Sequence, residues 1–220
     1  MARFNFIMSL LALPWALHIK NIFENNGIPM SYKINDARIT AARYHTVGVW
    51  SRNTVQFKEI FEQWYLNGTK FVPKNIQMTP TTVLHWFIGD GYRRESKIIF
   101  CTHNFTSTDV EFLSNLLNKT LGISYHWRYE KLKSNNQPIL VINRQSDICA
   151  FKKYLDQAPP DSLVLAKNIF PWKFNGKLRK RDAMRSEWYP ETLRWYLDKD
   201  SNNVYSIIKA TIKKYYFKDL

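Results

Sequence analysis

The strongest constraint on this chain is that its sequence says the same thing twice. The stretch RFNFIMS…WALHIKNIFENNGIPMSYKIN is answered by KIIFCTH…VEFLSNLLNKTLGISYHWRYE. Each reads as a short strand, an amphipathic helix and a strand launched from a Gly-Ile pair. With Gly27 set against Gly122, residues Ile28, Met30, Tyr32 and Ile34 fall opposite Ile123, Tyr125, Trp127 and Tyr129. The alternate positions Ser31, Lys33 and Asn35 fall opposite His126, Arg128 and Glu130. Such period-two alternation describes a sheet with one face on a core and the other offered to something polar. A second strand follows in each copy, over 44–50 and 138–143, and then a closing helix in which Phe57-Lys58 answers Phe151-Lys152. The two copies of this α+β unit are joined by KFVPKNIQM.

Charge narrows the partner. With 32 Lys and Arg against 18 Asp and Glu, the formal charge is +14 and the pI near 9.7, a field that attracts polyanions. The basic residues are spread along the chain instead of gathering on one amphipathic helix, which favours nucleic acid over a membrane surface. Aromatic residues make up 15% of the chain, enough large apolar surface for a packed core. Cys101 and Cys149 stand within strand or helix segments and read as reduced thiols, and the absence of CxxC or HExxH argues against zinc. The run MARFNFIMSLLALPWALHI resembles a secretory signal, yet Asn5 and Ser9 interrupt it, and Pro14 and Trp15 stand where small residues should mark cleavage. It is also too short to span a membrane.

One segment breaks the symmetry. TPTTVLHWFIGDGYRR places a proline-started apolar helix directly before Asp90, held between Gly89 and Gly91. A carboxylate at a helix C-terminus faces unsatisfied carbonyls and typically costs a few tenths to ~1 kcal/mol, so something positive is expected there, an arginine or a metal ion. Sliding the repeat back shows no counterpart of Asp90 in the first copy, which starts almost where such a helix would end.

The residues WFIGDGY, preceded by MTP and followed by CTHNFT, resemble the LAGLIDADG homing endonuclease family, and WYLNGTKFVP ahead of them adds to the likeness. The resemblance covers about residues 3–157. It implies an α+β fold of two pseudo-symmetric αββαββα units forming a saddle-shaped antiparallel sheet with helices on one face, the N-terminal unit lacking its first helix. The units would be 1–72 and 73–157, followed by a basic, aromatic extension at 158–220 that starts at APPDS. The motif helices would pack through small residues such as Gly89. Each would deliver one acid to a shared cleft where a divalent metal, usually Mg²⁺, meets the scissile phosphates of double-stranded DNA.

The resemblance makes Asp90 the metal ligand and catalytic acid, and sets His103 where a polar side chain holds water near the metal. Each has a plainer reading: Asp before Gly also serves as a helix stop, and a lone histidine as a surface or packing residue. The family's supporting basic residue does not transfer, because SNNQPIL carries Gln137 there. Lys33, Asn35, Arg38, Arg43, Arg93, Arg128, Lys131 and Lys133 form the expected DNA footprint, although each alone is compatible with a solvated surface position.

With one acid where the mechanism wants two, the expected activity is that of a homing-type, double-strand DNA endonuclease with an incomplete catalytic centre. The helix could be missing upstream, come from a second polypeptide, be replaced by pairing with a second copy, or be lost to decay. The alternative on the same scaffold is an RNA-splicing maturase, with intron RNA as partner, or another non-cleaving binder. The expected location is intracellular: mitochondrion or chloroplast in a eukaryote, cytoplasm in a prokaryote or phage host. The extension reads equally as added nucleic-acid surface or as a packing arm on the second unit.

Overall fold

The computed structural model describes residues 2–35, 45–94, 96–123, 126–131, 136–186, 189 and 202–216. It is an α+β chain built on antiparallel sheets that divides into two compact units, Met1–Glu59 with Leu178–Leu220, and Ile60–Lys177. In the first unit β1 (Asn5–Ser9) leads through a 3₁₀ turn to α1 (Leu13–Asn25), β2 (Met30–Asn35) and β3 (Thr46–Ser51), with strand order β1-β3-β2. Helix α2 (Val55–Trp64) carries the chain onward. The second unit holds a two-stranded hairpin, β4 (Tyr65–Leu66) and β5 (Thr69–Lys70), then α3 (Pro80–Asp90), β6 (Gly91–Arg94), β7 (Lys97–Cys101), α4 (Ser107–Leu121), β8 (His126–Lys131), β9 (Asn136–Ile142) and α5 (Gln145–Leu155). Its main sheet has the order β6-β7-β9-β8. Helices α6 (Pro160–Ile169) and α7 (Pro171–Phe174) belong to this unit, whereas α8 (Lys180–Arg185) and α9 (Asn202–Tyr216) belong to the first.

The sequence repeat is a structural repeat within each unit, down to the register. Order β1-β3-β2 recurs as β7-β9-β8; the pairing Phe6–Val49 recurs as Phe100–Leu140, and Ser31–Trp50 as His126–Val141. Both repeat glycines do the same work: Gly27 (φ 77°) follows α1 and Gly122 (φ 65°) caps α4, each in the left-handed region that a side chain resists. The closing-helix phenylalanines also correspond. Phe57 sits 6.0 Å from Phe4, and Phe151 sits 5.9 Å from Phe100, centroid to centroid, on the helix-covered faces of their sheets. The N-terminal apolar run is divided between β1, the 3₁₀ turn and α1, where Leu10–Ala16 are all buried.

Local chemistry explains the segment between the repeats. Asn67 (φ 50°) and Gly68 (φ 78°) close the β4–β5 hairpin as an Asn-Gly turn with two left-handed residues. The linker that follows is tied to the second unit, with the Val72 amide donating to Asp109 Oδ1 at 3.3 Å and the Tyr154 hydroxyl to the Met78 carbonyl at 2.5 Å. Thr79 then caps α3, its Oγ1 accepting from the Thr82 amide, with Pro80 in the first turn where its missing N–H costs nothing. Among the described residues the first unit has no counterpart of α3 or β6.

Candidate nucleic-acid interface and acidic centre

An antiparallel pairing sends directly opposed residues to the same face, so the ladders sort each sheet into a helix-covered face and an open one. In the first unit Phe6 and Met8 of β1 share a face with Val47 and Val49, which are fully buried. The open face carries Asn5, Ile7 and Ser9 from β1, Thr46, Gly48 and Trp50 from β3, and Ser31, Lys33 and Asn35 from β2. Lys33 is exposed opposite Gly48, and the half-buried Asn35 reaches Thr46 Oγ1 across the strands at 3.3 Å. The alternation is imperfect on β2, where Tyr32 stays 48% exposed although its ladder partner Val49 is on the core side.

In the second unit Gly91 pairs with Phe100 and Arg93 with Ile98, the helix-covered side, whereas Tyr92 pairs with Ile99 and Arg94 with Lys97 on the open side. Arg93 is therefore turned away from the open face. Its Nη1 donates to the Phe174 carbonyl at 2.7 Å, and burial lowers its pKa from the ordinary value. Gly176 packs so closely that an added Cβ would lie 2.2 Å from Arg93 Nε. The exposed arginine of this strand is Arg94, with the half-buried Lys97 beside it in the ladder; the sequence reading chose the neighbouring residue, and in a strand a step of one changes the face. Further along that face Ile99, Ile139 and Val141 form a small buried apolar cluster with Tyr92 against it. Arg128 lies opposite Ile139 and Lys131 opposite Asn136 in the ladder, while Arg38, Arg43 and Lys133 lie outside the described residues.

Asp90 is the last residue of α3, exposed, and its carboxylate has no hydrogen-bond or ion-pair partner among the described residues. The chain passes straight from helix to strand at Gly91 (φ −87°, ψ 151°), where a Cβ would meet Phe87 Cδ2 at 2.4 Å and the Phe87 carbonyl oxygen at 2.6 Å. Glycine is thus required there for close approach. Thr82, Trp86 and Asp90 recur at helical spacing along one side of α3 and line a cleft of about 230 Å³, together with Trp64, Lys70 and Phe105. Lys70 Nζ lies 4.5 Å from the Phe105 ring centroid.

His103 is half-buried in the turn after β7. Since Gly91 pairs with Phe100, the acid just before one and the histidine just after the other stand at the same end of the β6–β7 hairpin. No group of three or more His, Cys, Asp or Glu suited to a metal forms among the described residues. The positive charge expected at the end of α3 is Lys173, whose ammonium donates to the carbonyls of Phe87, Ile88 and Gly91. Sequence reasoning missed it because it comes from α7, far along the chain. No helix among the described residues is long and apolar enough to cross a membrane.

The profile of the LAGLIDADG DNA endonuclease family matches residues 1–148. The uncharacterized protein MJ1098 of Methanocaldococcus jannaschii is 24% identical over 139 residues, 56% of this chain and 53% of its own. The cytochrome b mRNA maturase bI2 of Debaryomyces hansenii is 29% identical over 111 residues, 45% of this chain and 42% of its own. The chain spans about half the length of these curated relatives. Among solved structures, the homing endonuclease I-WcaI bound to its DNA recognition sequence matches with a TM-score of 0.60 at 18% identity, covering 79% of this chain and 75% of that one, a likeness of fold.

Proposed function

We propose that this chain, which belongs to the LAGLIDADG DNA endonuclease family, binds double-stranded DNA on the open faces of its sheets and hydrolyses a phosphodiester at the end of α3. The observation that carries the reading is Asp90: an exposed carboxylate without a described partner, fixed by a glycine-only turn where a helix runs into a sheet. A dication fits such a donor, because Mg²⁺ is commonly held by one or two carboxylates with phosphate oxygens and water completing its shell. When bound, the cation would stabilise the charge developing on the phosphate and the leaving oxygen. Asp90 would hold it, and His103, at the same end of the hairpin, would hydrogen-bond the attacking water. In the reaction a water oxygen bonds to phosphorus, the bond to one ester oxygen breaks, and that oxygen takes up a proton.

Lys33, Asn35, Arg94 and Lys97, with Arg38, Arg43, Arg128, Lys131 and Lys133, supply the proposed contacts to phosphates and base edges. Arg93 is assigned instead to holding the chain around Asp90. Asp90, the one motif acid among the described residues, supports nicking of one strand; double-strand cleavage needs a second acid from another segment, another polypeptide or a second copy. The proposed location is intracellular: an organelle of a eukaryotic host, or the cytoplasm of a prokaryotic or phage-infected one.

The test is incubation with Mg²⁺ and DNA bearing the host insertion site. Nicking is expected, abolished by chelation and reduced on the order of 100-fold or more by Asp90→Asn, the scale of losing one electrostatic contact to a transition state. DNA affinity should survive that substitution and fall log-linearly with salt. Binding with no nicking in the unaltered protein would defeat the reading. It would favour the second one, an RNA-splicing maturase, which the likeness to the Debaryomyces hansenii maturase supports and which selective binding of intron RNA would establish.

A further inference from the structure

The extension after α5 holds the turn that presents Asp90. Lys173 Nζ donates to the carbonyl oxygens of Phe87 at 3.0 Å and Ile88 at 2.8 Å, and to that of Gly91. Two of these acceptors precede Asp90 in the last turn of α3 and one follows it, matching the three N–H groups of an ammonium. The next residue grips the same region: the Phe174 ring meets Phe87 edge-on at 5.7 Å, and its carbonyl accepts from Arg93, three residues beyond Asp90. Gly176 admits this approach because it has no Cβ to strike the Arg93 guanidinium. Within the second unit, α7 is therefore fastened to both sides of the acid.

We propose that Lys173 is a positioning residue for Asp90, fixing the helix-to-strand turn on which the carboxylate stands and offsetting the negative helix end. The inference rests on the reading of Asp90 as the cleavage acid. Electrostatics and positioning predict opposite signs for one observable. A nearby ammonium by itself repels a dication, so removing it for charge reasons alone tightens cation binding; a carboxylate released from its proper geometry binds the cation more weakly.

The experiment compares Lys173→Met and Lys173→Arg with the unaltered chain, using Asp90→Asn as the baseline for cation binding. Amide exchange over 88–92, Mn²⁺ affinity, and kcat and KM for nicking are measured, with thermal unfolding as a control. Lys173→Met is expected to speed exchange at this turn about tenfold. Mn²⁺ binding should weaken about tenfold, as when a supporting partner of a ligand is lost. The kcat should drop about 10- to 100-fold with KM for DNA nearly unchanged. Lys173→Arg keeps the charge on a planar fork that suits three convergent carbonyls poorly; it should recover thermal stability while kcat stays at least about threefold low.

Unaltered exchange, tighter Mn²⁺ binding in the methionine variant, or full recovery of kcat by arginine would each overturn the proposal. If Asp90→Asn leaves Mn²⁺ binding of the otherwise unaltered chain intact, the cleavage reading itself fails, a pattern distinct from any produced by substituting Lys173.

Discussion

The two sheets differ by one described strand, and that strand changes the standing of its neighbour. β1 pairs only with β3 among the described strands, and its residues alternate between exposed and half-buried. Its repeat partner β7 lies between β6 and β9, and the three central residues are buried. Phe6 is half-buried whereas its counterpart Phe100 is fully buried, and Asn5 is exposed where its counterpart Ile99 is covered. The same repeat position is thus an edge in one unit and an interior strand in the other. The segment that carries the acid also supplies β6, so Asp90 leads directly into a strand paired with β7, whose three central residues are buried.

The comparison can be broken most sharply at its phenylalanines. Phe100→Ala should cost about 3–5 kcal/mol, a fully buried aromatic lost from a site that cannot collapse, while Phe6→Ala at the half-buried counterpart should cost about 1–2 kcal/mol. Equal losses in chemical denaturation would erase the distinction between edge and interior. Gly91→Ala comes next, at about 1–3 kcal/mol, because the added methyl must displace the end of α3. A stable, fully active alanine variant would show that the turn is looser than described.

Tyr154→Phe leaves the Met78 carbonyl without its 2.5 Å donor and should cost about 1 kcal/mol. Burial raises the Tyr154 pKa above its usual 10.0, so the neutral phenol is favoured in the fold. Its contribution is complete below pH 10 and is lost as pH rises through the raised value; the phenylalanine variant should lack that alkaline loss. The smallest effect is expected at Gly89, where an added Cβ meets nothing within 4 Å. Gly89→Ala should stabilise α3 by up to ~1 kcal/mol. Lost nicking with stability retained would instead show that α3 packs against another helix through that position.

Much of the fold was legible because its signals are local. The Gly-Ile pairs at Gly27 and Gly122 mark where a strand is launched, Pro80 marks a helix start, and period-two alternation marks the strands. Each acts over a few residues, so it survives whatever the rest of the chain does. The acid was legible for the same reason, as a carboxylate at a helix end directly before glycine. Arg93 was not, because Arg93 and Arg94 are chemically alike, and only the pairing of Gly91 with Phe100 decides which one turns toward the helices.

Sequence by itself therefore determined the repeat, its register-bearing glycines and the residue that ends α3. Tertiary structure alone decided which basic side chains the open faces present and what neutralises the end of that helix. The division has a physical cause: backbone preferences are properties of neighbours along the chain, whereas the choice of Lys173 as partner for the carbonyls of Phe87, Ile88 and Gly91 follows from how α7 packs within the second unit.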